Sequence, residues 1–296
     1  MSIKLYVMVR TLTVILFVGL TVTFGEVVHT TVVFEGKELK ANAVWEVPEG
    51  INPADRGAIL WLHGLFQTHS MMEPISQQRR LWVAGGYPVL SPTLTLGIND
   101  RREPYDCSYT LDHTYELNLE ELKVWLRWLR KMGVKKVVLA GHSKGGEQIV
   151  HLAKVVSGEP KVVGLLLVAP SKGEQRKHPL LEKAKRLVRD GAGHTVLRGS
   201  FFYCREVSVS ARTLWSYYGV DRNIGKALRE VGVPVLVVWG GEDERVRDLP
   251  RFLKRHAGDM KNLRIEVIDY ADHFFRDLAA EDLSALALEF FEEVLR

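Results

Sequence analysis

Residues 141–146 read Gly-His-Ser-Lys-Gly-Gly, and their setting suits covalent chemistry at Ser143. The apolar run 134–140 (VKKVVLA) reads as a strand entering this turn, and 143–156 reads as a helix leaving it. G-x-S-x-G between a strand and a helix is the pattern of a tight elbow that lifts the central side chain clear of the sheet. Gly141 and Gly145 leave room for the strained backbone, and the following helix N-terminus supplies unpaired N–H groups and a positive dipole end. Ser143 is therefore the candidate nucleophile.

A serine hydroxyl is a weak nucleophile unless a base takes its proton. Of the ten histidines, His273 stands out by position, in Asp272-His273-Phe274 after the last strand pattern and before the final helix. A base of this kind needs a carboxylate to hold its tautomer and stabilise its charged form. The strand pattern 233–239 ends in Gly240-Gly241-Glu242-Asp243-Glu244. The Gly-x-x-Asp spacing turns Asp243 back toward the His273 loop. Glu242 and Glu244 read as solvated loop acids. Ser143, Asp243 and His273 would then form one catalytic set. His142 reads as packing, and the side chains of His142 and Lys144 need no catalytic role.

The elements that must position these residues follow from periodicity. Residues 27–34 and 39–47 suggest an antiparallel hairpin around Gly36. Short apolar runs at 57–62, 89–90, 134–140, 162–169, 233–239 and 264–268 suit strands buried on both faces. Helical patterns fill 115–131, 143–156 and 279–295. This alternation predicts an α/β fold, with a mostly parallel central sheet flanked by helices. Residues 174–232 are far too long for an ordinary connection and read as a helical cap insertion. Its first half is basic (Arg176, Lys177, Lys183, Lys185, Arg186, Arg189) and reads as a solvated helix face, with an anionic substrate or a membrane surface as alternatives. Its second half is aromatic (Phe201, Phe202, Tyr203, Trp215, Tyr217, Tyr218) and suggests an apolar acyl or aryl pocket. The polar stretch 97–114 lies over the site. Arg101, Arg102 and His113 are candidates for substrate contact there, against the plainer reading of an ordinary loop.

With Gly-His-Ser-Lys-Gly-Gly, His63-Gly64, Gly-Gly-Glu-Asp and Asp272-His273 each at a strand end, the chain resembles the serine esterase- and lipase-like members of the α/β-hydrolase superfamily from about residue 27 to 296. The order Ser…Asp…His is that of the family. The resemblance implies an oxyanion hole built from the backbone N–H of Lys144 and a second N–H from Leu65 or Phe66. A serine at the elbow argues against the dehalogenase and epoxide hydrolase members, which use Asp there. The implied reaction is hydrolysis of a small-molecule ester or acyl substrate through an acyl-serine. Peptide or amide hydrolysis and acyl transfer use the same residues, and a non-catalytic exported binding protein is the remaining alternative.

The bulk sequence narrows the field. Of 296 residues, 46% are hydrophobic and 26% charged, the composition of a globular chain able to bury a large core. The net charge of +4 is spread without a basic block, so nucleic acid is not an expected partner. No metal-type Cys/His spacing, phosphate loop or dinucleotide fingerprint occurs, and no cofactor is expected. The first residues carry Lys4 and Arg10, and 11–24 (TLTVILFVGLTVTF) are uncharged. A charged start and a short apolar run read as a signal peptide over 1–25, leaving a hydrolase domain over 26–296. The alternatives are a membrane anchor over residues 5–24 and a core strand. Export, to a periplasmic or extracellular location, would permit a disulfide between the only cysteines, Cys107 and Cys204, and two unrelated buried thiols are the alternative.

Overall fold

The computed structural model describes residues 25–296, so the signal peptide or anchor expected over 1–25 lies almost wholly outside the described residues. In chain order the elements are β1 (Glu26–Phe34), β2 (Lys37–Glu46), α1 (Pro53–Arg56), β3 (Ala58–Leu62), α2 (Gln77–Ala84), β4 (Val89–Thr93), α3 (Tyr115–Lys131), β5 (Lys136–His142), α4 (Lys144–Val155), β6 (Lys161–Val168), α5 (Leu181–Arg189), β7 (Val196–Phe201), β8 (Cys204–Ser210), α6 (Ala211–Leu214), α7 (Ile224–Leu228), β9 (Val235–Gly240), α8 (Leu249–Ala257), β10 (Leu263–Ile268) and α9 (Leu278–Leu295).

Eight strands form one sheet in the order β1-β2-β4-β3-β5-β6-β9-β10. β1, β2 and β4 pair antiparallel, and every pairing from β4 through β10 is parallel. The apolar runs place themselves inside for a physical reason: every residue of β3 is fully buried, as are Leu165–Val168 of β6, which requires cover on both faces. α3 and α4 pack together, with α4 on β3, β5 and β6. α9 packs on β5, β6 and β10 and against α2, covering the other face. The core aromatics Trp61, Trp82 and Phe291 meet at this second layer, with ring centroids 4.9 and 5.1 Å apart. Among the described residues no helix is long and apolar enough to cross a membrane.

Residues 174–232 are less helical than the sequence suggested. They hold α5, the separate β7–β8 hairpin, α6 and α7. The hairpin forms because Leu197, Phe201, Cys204, Val207 and Val209 are all buried while residues such as Arg198 and Glu206 between them face out. α5 is strongly amphipathic: Leu181 and Ala184 are buried, and Lys183, Lys185, Arg186 and Arg189 are exposed, a solvated face. Cys204 opens β8 and is bonded to Cys107, 97 residues earlier, so the 97–114 stretch is tied covalently to the hairpin. A bridge from Leu111 to Val209 adds a second attachment.

Candidate active site

The parallel strands β5, β9 and β10 deliver Ser143, Asp243 and His273 to one end of the sheet. Ser143 stands between β5 and α4 with φ 53° and ψ −118°, a strained backbone for a residue with a side chain. The strain is held by packing. A Cβ on Gly145 would lie 2.4 Å from the His63 carbonyl oxygen, so only glycine lets the helix start this close to β3. The Ser143 N–H donates to the Val168 carbonyl (2.9 Å), and its carbonyl accepts from the Ser171 N–H (2.9 Å).

Asp243 sits after β9 in a turn closed by its own N–H donating to the Gly240 carbonyl (3.0 Å). This is the return that the Gly-x-x-Asp spacing implied. Gly240 is needed for a second reason: a Cβ there would approach the Ala271 carbonyl oxygen to 2.4 Å, blocking the loop that carries His273. The His273 Nδ1–H donates to Asp243 Oδ2 at 2.7 Å. The other carboxylate oxygen accepts from the N–H groups of Arg245 (2.7 Å) and Val246 (3.1 Å). Burial alone would raise this carboxyl, but the His273 hydrogen bond, its charge and the two backbone donors hold Asp243 below its ordinary value. Glu242 and Glu244 are exposed beside it.

His142 does more than pack. Its Nε2–H donates to the His273 carbonyl (2.9 Å), and the two rings lie 4.8 Å apart. Burial and the neighbouring His273 lower His142 to about 3, so it is neutral and a single tautomer suits the bond. His142 thereby fixes the loop from which His273 projects.

The Leu65-Phe66 loop is anchored as firmly. His63, lowered by burial to about 3, donates from Nδ1 to the Gly64 carbonyl (2.7 Å) and accepts the Leu94 N–H at Nε2 (3.1 Å). Phe66 has φ 60°. Arg101 is 4% exposed and spends its guanidinium on four carbonyls. Nη2 donates to Gln67 (2.7 Å), Nη1 to Phe66 (3.4 Å) and Glu103 (2.7 Å), and Nε to Leu94 (2.7 Å). Arg101 is thus a positioning residue, and the substrate-contact role considered for it is ruled out by burial. Arg102 pairs with Asp100, and His113 is buried against Phe34, so neither reaches the cavity. Among the described residues the N–H groups of Lys144, Leu65 and Phe66 have no hydrogen-bond acceptor, which leaves them free for a developing oxyanion.

A cavity of about 480 Å³ opens over these groups. Ser143, His273, Leu65, Phe66, Phe202 and Tyr203 are among its walls. Only part of the expected aromatic half reaches it. Phe201, Tyr217 and Tyr218 pack beneath Phe202 with ring centroids 4.8 to 5.9 Å away, and Trp215 lies under Lys185 instead. The Lys144 side chain is buried with both oxygens of Glu147 at 2.7 Å from Nζ. Among the described residues no group of His, Cys, Asp and Glu is arranged to hold a metal ion.

The family model described as the alpha/beta hydrolase family matches residues 59–286, from β3 into α9. The chain belongs to the alpha/beta hydrolase family. No curated protein matches it. Among solved structures, this hydrolase chain is similar to Est1E from Butyrivibrio proteoclasticus, with TM-score 0.63 and 17% identity over 90% of this chain and 98% of that one. It is also similar to a monoacylglycerol lipase from Paleococcus ferrophilus (0.61, 18%, 86% and 98%) and to the esterase domain of a Rhodothermus marinus protein (0.58, 15%, 92% and 100%). At such identities the likeness establishes the alpha/beta hydrolase fold.

Proposed function

We propose that the protein is a carboxylic-ester hydrolase working through an acyl-serine. The observation that carries this reading is the convergence of Ser143 and His273 on one cavity, with His273 held by Asp243 at 2.7 Å. Ser143 Oγ attacks the ester carbonyl while His273 Nε2 takes its proton. Asp243 stabilises the imidazolium and keeps Nδ1 as the protonated nitrogen. The N–H of Lys144, with that of Leu65 or Phe66, receives the oxyanion. His273 returns the proton to the leaving alcohol, and a water repeats the sequence on the acyl group. Leu65, Phe66, Met71, Phe202 and Tyr203 make one part of the cavity apolar, which favours an acyl or aryl group there. The solved neighbours that are named as esterases or lipases support the same chemistry. Export fits the Cys107–Cys204 bond, since oxidising compartments preserve disulfides.

The test compares 4-nitrophenyl esters of increasing chain length with aminoacyl 4-nitroanilides, using the parent and Ser143→Ala. Ester turnover that disappears in the variant, with anilides slower by orders of magnitude, is expected. Anilide turnover equal to or above that of the esters would overturn the ester assignment in favour of amide hydrolysis.

A further inference from the structure

Two cavities meet beside Ser143. The second, of about 250 Å³, shares Lys144, Ser171, Arg176, Arg245 and Val246 with the first, so a substrate in one can extend into the other. Its walls are charged. Five cations (Lys144, Lys172, Arg176, Arg222, Arg245) and two carboxylates (Glu147, Glu174) line it. Lys144 is neutralised by Glu147, and Arg222 is taken up by Glu116 and the Ser216 carbonyl. Of the lining charges this leaves Lys172, Arg176 and Arg245 with Glu174, and neither Arg176 nor Arg245 forms an ion pair among the described residues.

Both arginines are exposed at the cavity wall, each beside an aromatic ring. The Arg176 guanidinium lies 5.1 Å over the Phe202 ring, and that of Arg245 lies 5.2 Å over Phe274. Neither guanidinium has a hydrogen-bond acceptor among the described residues, and a free N–H fork of this kind matches a carboxylate or phosphate. The segment carrying Arg176 is fastened on both sides. Its N–H donates to the Tyr218 carbonyl (3.1 Å), Gln175 Nε2 to the Gly219 carbonyl (3.0 Å), and the Arg222 N–H to the Gly173 carbonyl (2.7 Å). Burial lowers Lys144, Glu147 opposes this, and the charges of Arg222 and Arg176 add smaller lowering contributions.

We propose that the second cavity binds an anionic oxygen group of the substrate, so that the ester hydrolysed at Ser143 carries a carboxylate or phosphate clasped by Arg176 and Arg245. The proposal rests on the hydrolase reading above and narrows it to charged esters.

The experiment measures kcat/KM for 4-nitrophenyl hemiglutarate and for 4-nitrophenyl valerate, which match in chain length and differ in charge. The parent is compared with the double variant Arg176→Gln/Arg245→Gln. In the parent the charged ester is favoured about tenfold or more, and the preference shrinks as salt is raised. In the double variant the ratio falls to one or below, mainly through KM. A parent ratio at or below one, or a ratio unchanged in the double variant, overturns the proposal while valerate turnover keeps the hydrolase reading standing. If neither ester is hydrolysed, that reading fails, and calorimetric titration of the Ser143→Ala protein with monoethyl glutarate and with ethyl phosphate decides the anion site by itself. Binding of at least one that is about tenfold weaker when both arginines are replaced supports the site. Absent binding, or binding that ignores the replacement, overturns it.

Discussion

Replacing Arg101 by Met separates positioning from chemistry. The guanidinium donates to four carbonyls, two of them, Phe66 and Gln67, in the loop that carries a candidate oxyanion donor. Met keeps the aliphatic stem and removes all four bonds. Breaking a buried charged interaction costs about 3–5 kcal/mol, because the partners are left without replacement. That is a large share of a domain's stability of about 5–15 kcal/mol, and the variant stays folded at room temperature. Losing one oxyanion donor costs a factor of about 10²–10³ in kcat. A loosened loop forfeits part of that, so kcat falls about tenfold to a hundredfold with little change in KM. Arg101→Lys keeps the charge but reaches fewer carbonyls, and falls between parent and Met in both stability and kcat. Urea unfolding gives the first quantity, and steady-state kinetics on an aryl ester below the variant's transition give the second. A stability loss of the expected size with unaltered kcat would refute the positioning role and leave Arg101 as structural alone.

Three further outcomes follow from the same geometry. Asp243→Asn leaves the fold intact but favours the wrong His273 tautomer, and kcat falls by about 10⁴; a loss under tenfold would remove Asp243 from the catalytic set. Acid destabilises the protein through its buried histidines. His63, His113 and His142 are lowered by burial to about 3 and His69 to about 4, so the unfolded chain binds more protons between pH 6.5 and these values, and stability is lost as pH falls through that window. At pH 5 each histidine costs up to about 2 kcal/mol, and Glu121, raised by burial to about 7, works in the opposite sense and offsets about one of them. The urea midpoint should drop between pH 7.5 and 5, less so in His113→Phe, and a midpoint independent of pH would contradict this. Reducing the Cys107–Cys204 bond releases a loop of 97 residues and costs about 4–5 kcal/mol in the chain-entropy model, so Tm falls by about 10 °C or more; an unchanged Tm would show that the bond adds nothing.

What could be read in the sequence was local. Continuous apolar strands announce a sheet covered on both faces, and Gly141 to Gly145 announces the elbow, because both patterns fit within a few neighbouring residues. The amphipathic run of α3 gave its span directly, Tyr115–Lys131. The β7–β8 hairpin was hidden because Val196–Ser210 interleaves charges with aromatics around a turn, Phe202-Tyr203, that has neither Gly nor Asn. Arg101 was hidden for another reason. Its acceptors are backbone carbonyls up to 35 positions away, and carbonyls leave no trace in residue type. His142 looked like packing because its acceptor, the His273 carbonyl, lies 131 positions on. The pairing of Arg176 with Arg245 at one cavity depends on how the 174–232 segment folds back over the sheet, which composition does not encode.

The central claim is that Ser143 is a nucleophile activated by His273. The direct measurement is reaction of the folded protein with a fluorophosphonate, followed by intact mass and peptide mapping, beside Ser143→Ala and His273→Ala. One adduct on Ser143, absent from the first variant and slowed by orders of magnitude in the second, is the result expected. A folded parent that stays unlabelled, or an adduct on another residue, would contradict the account.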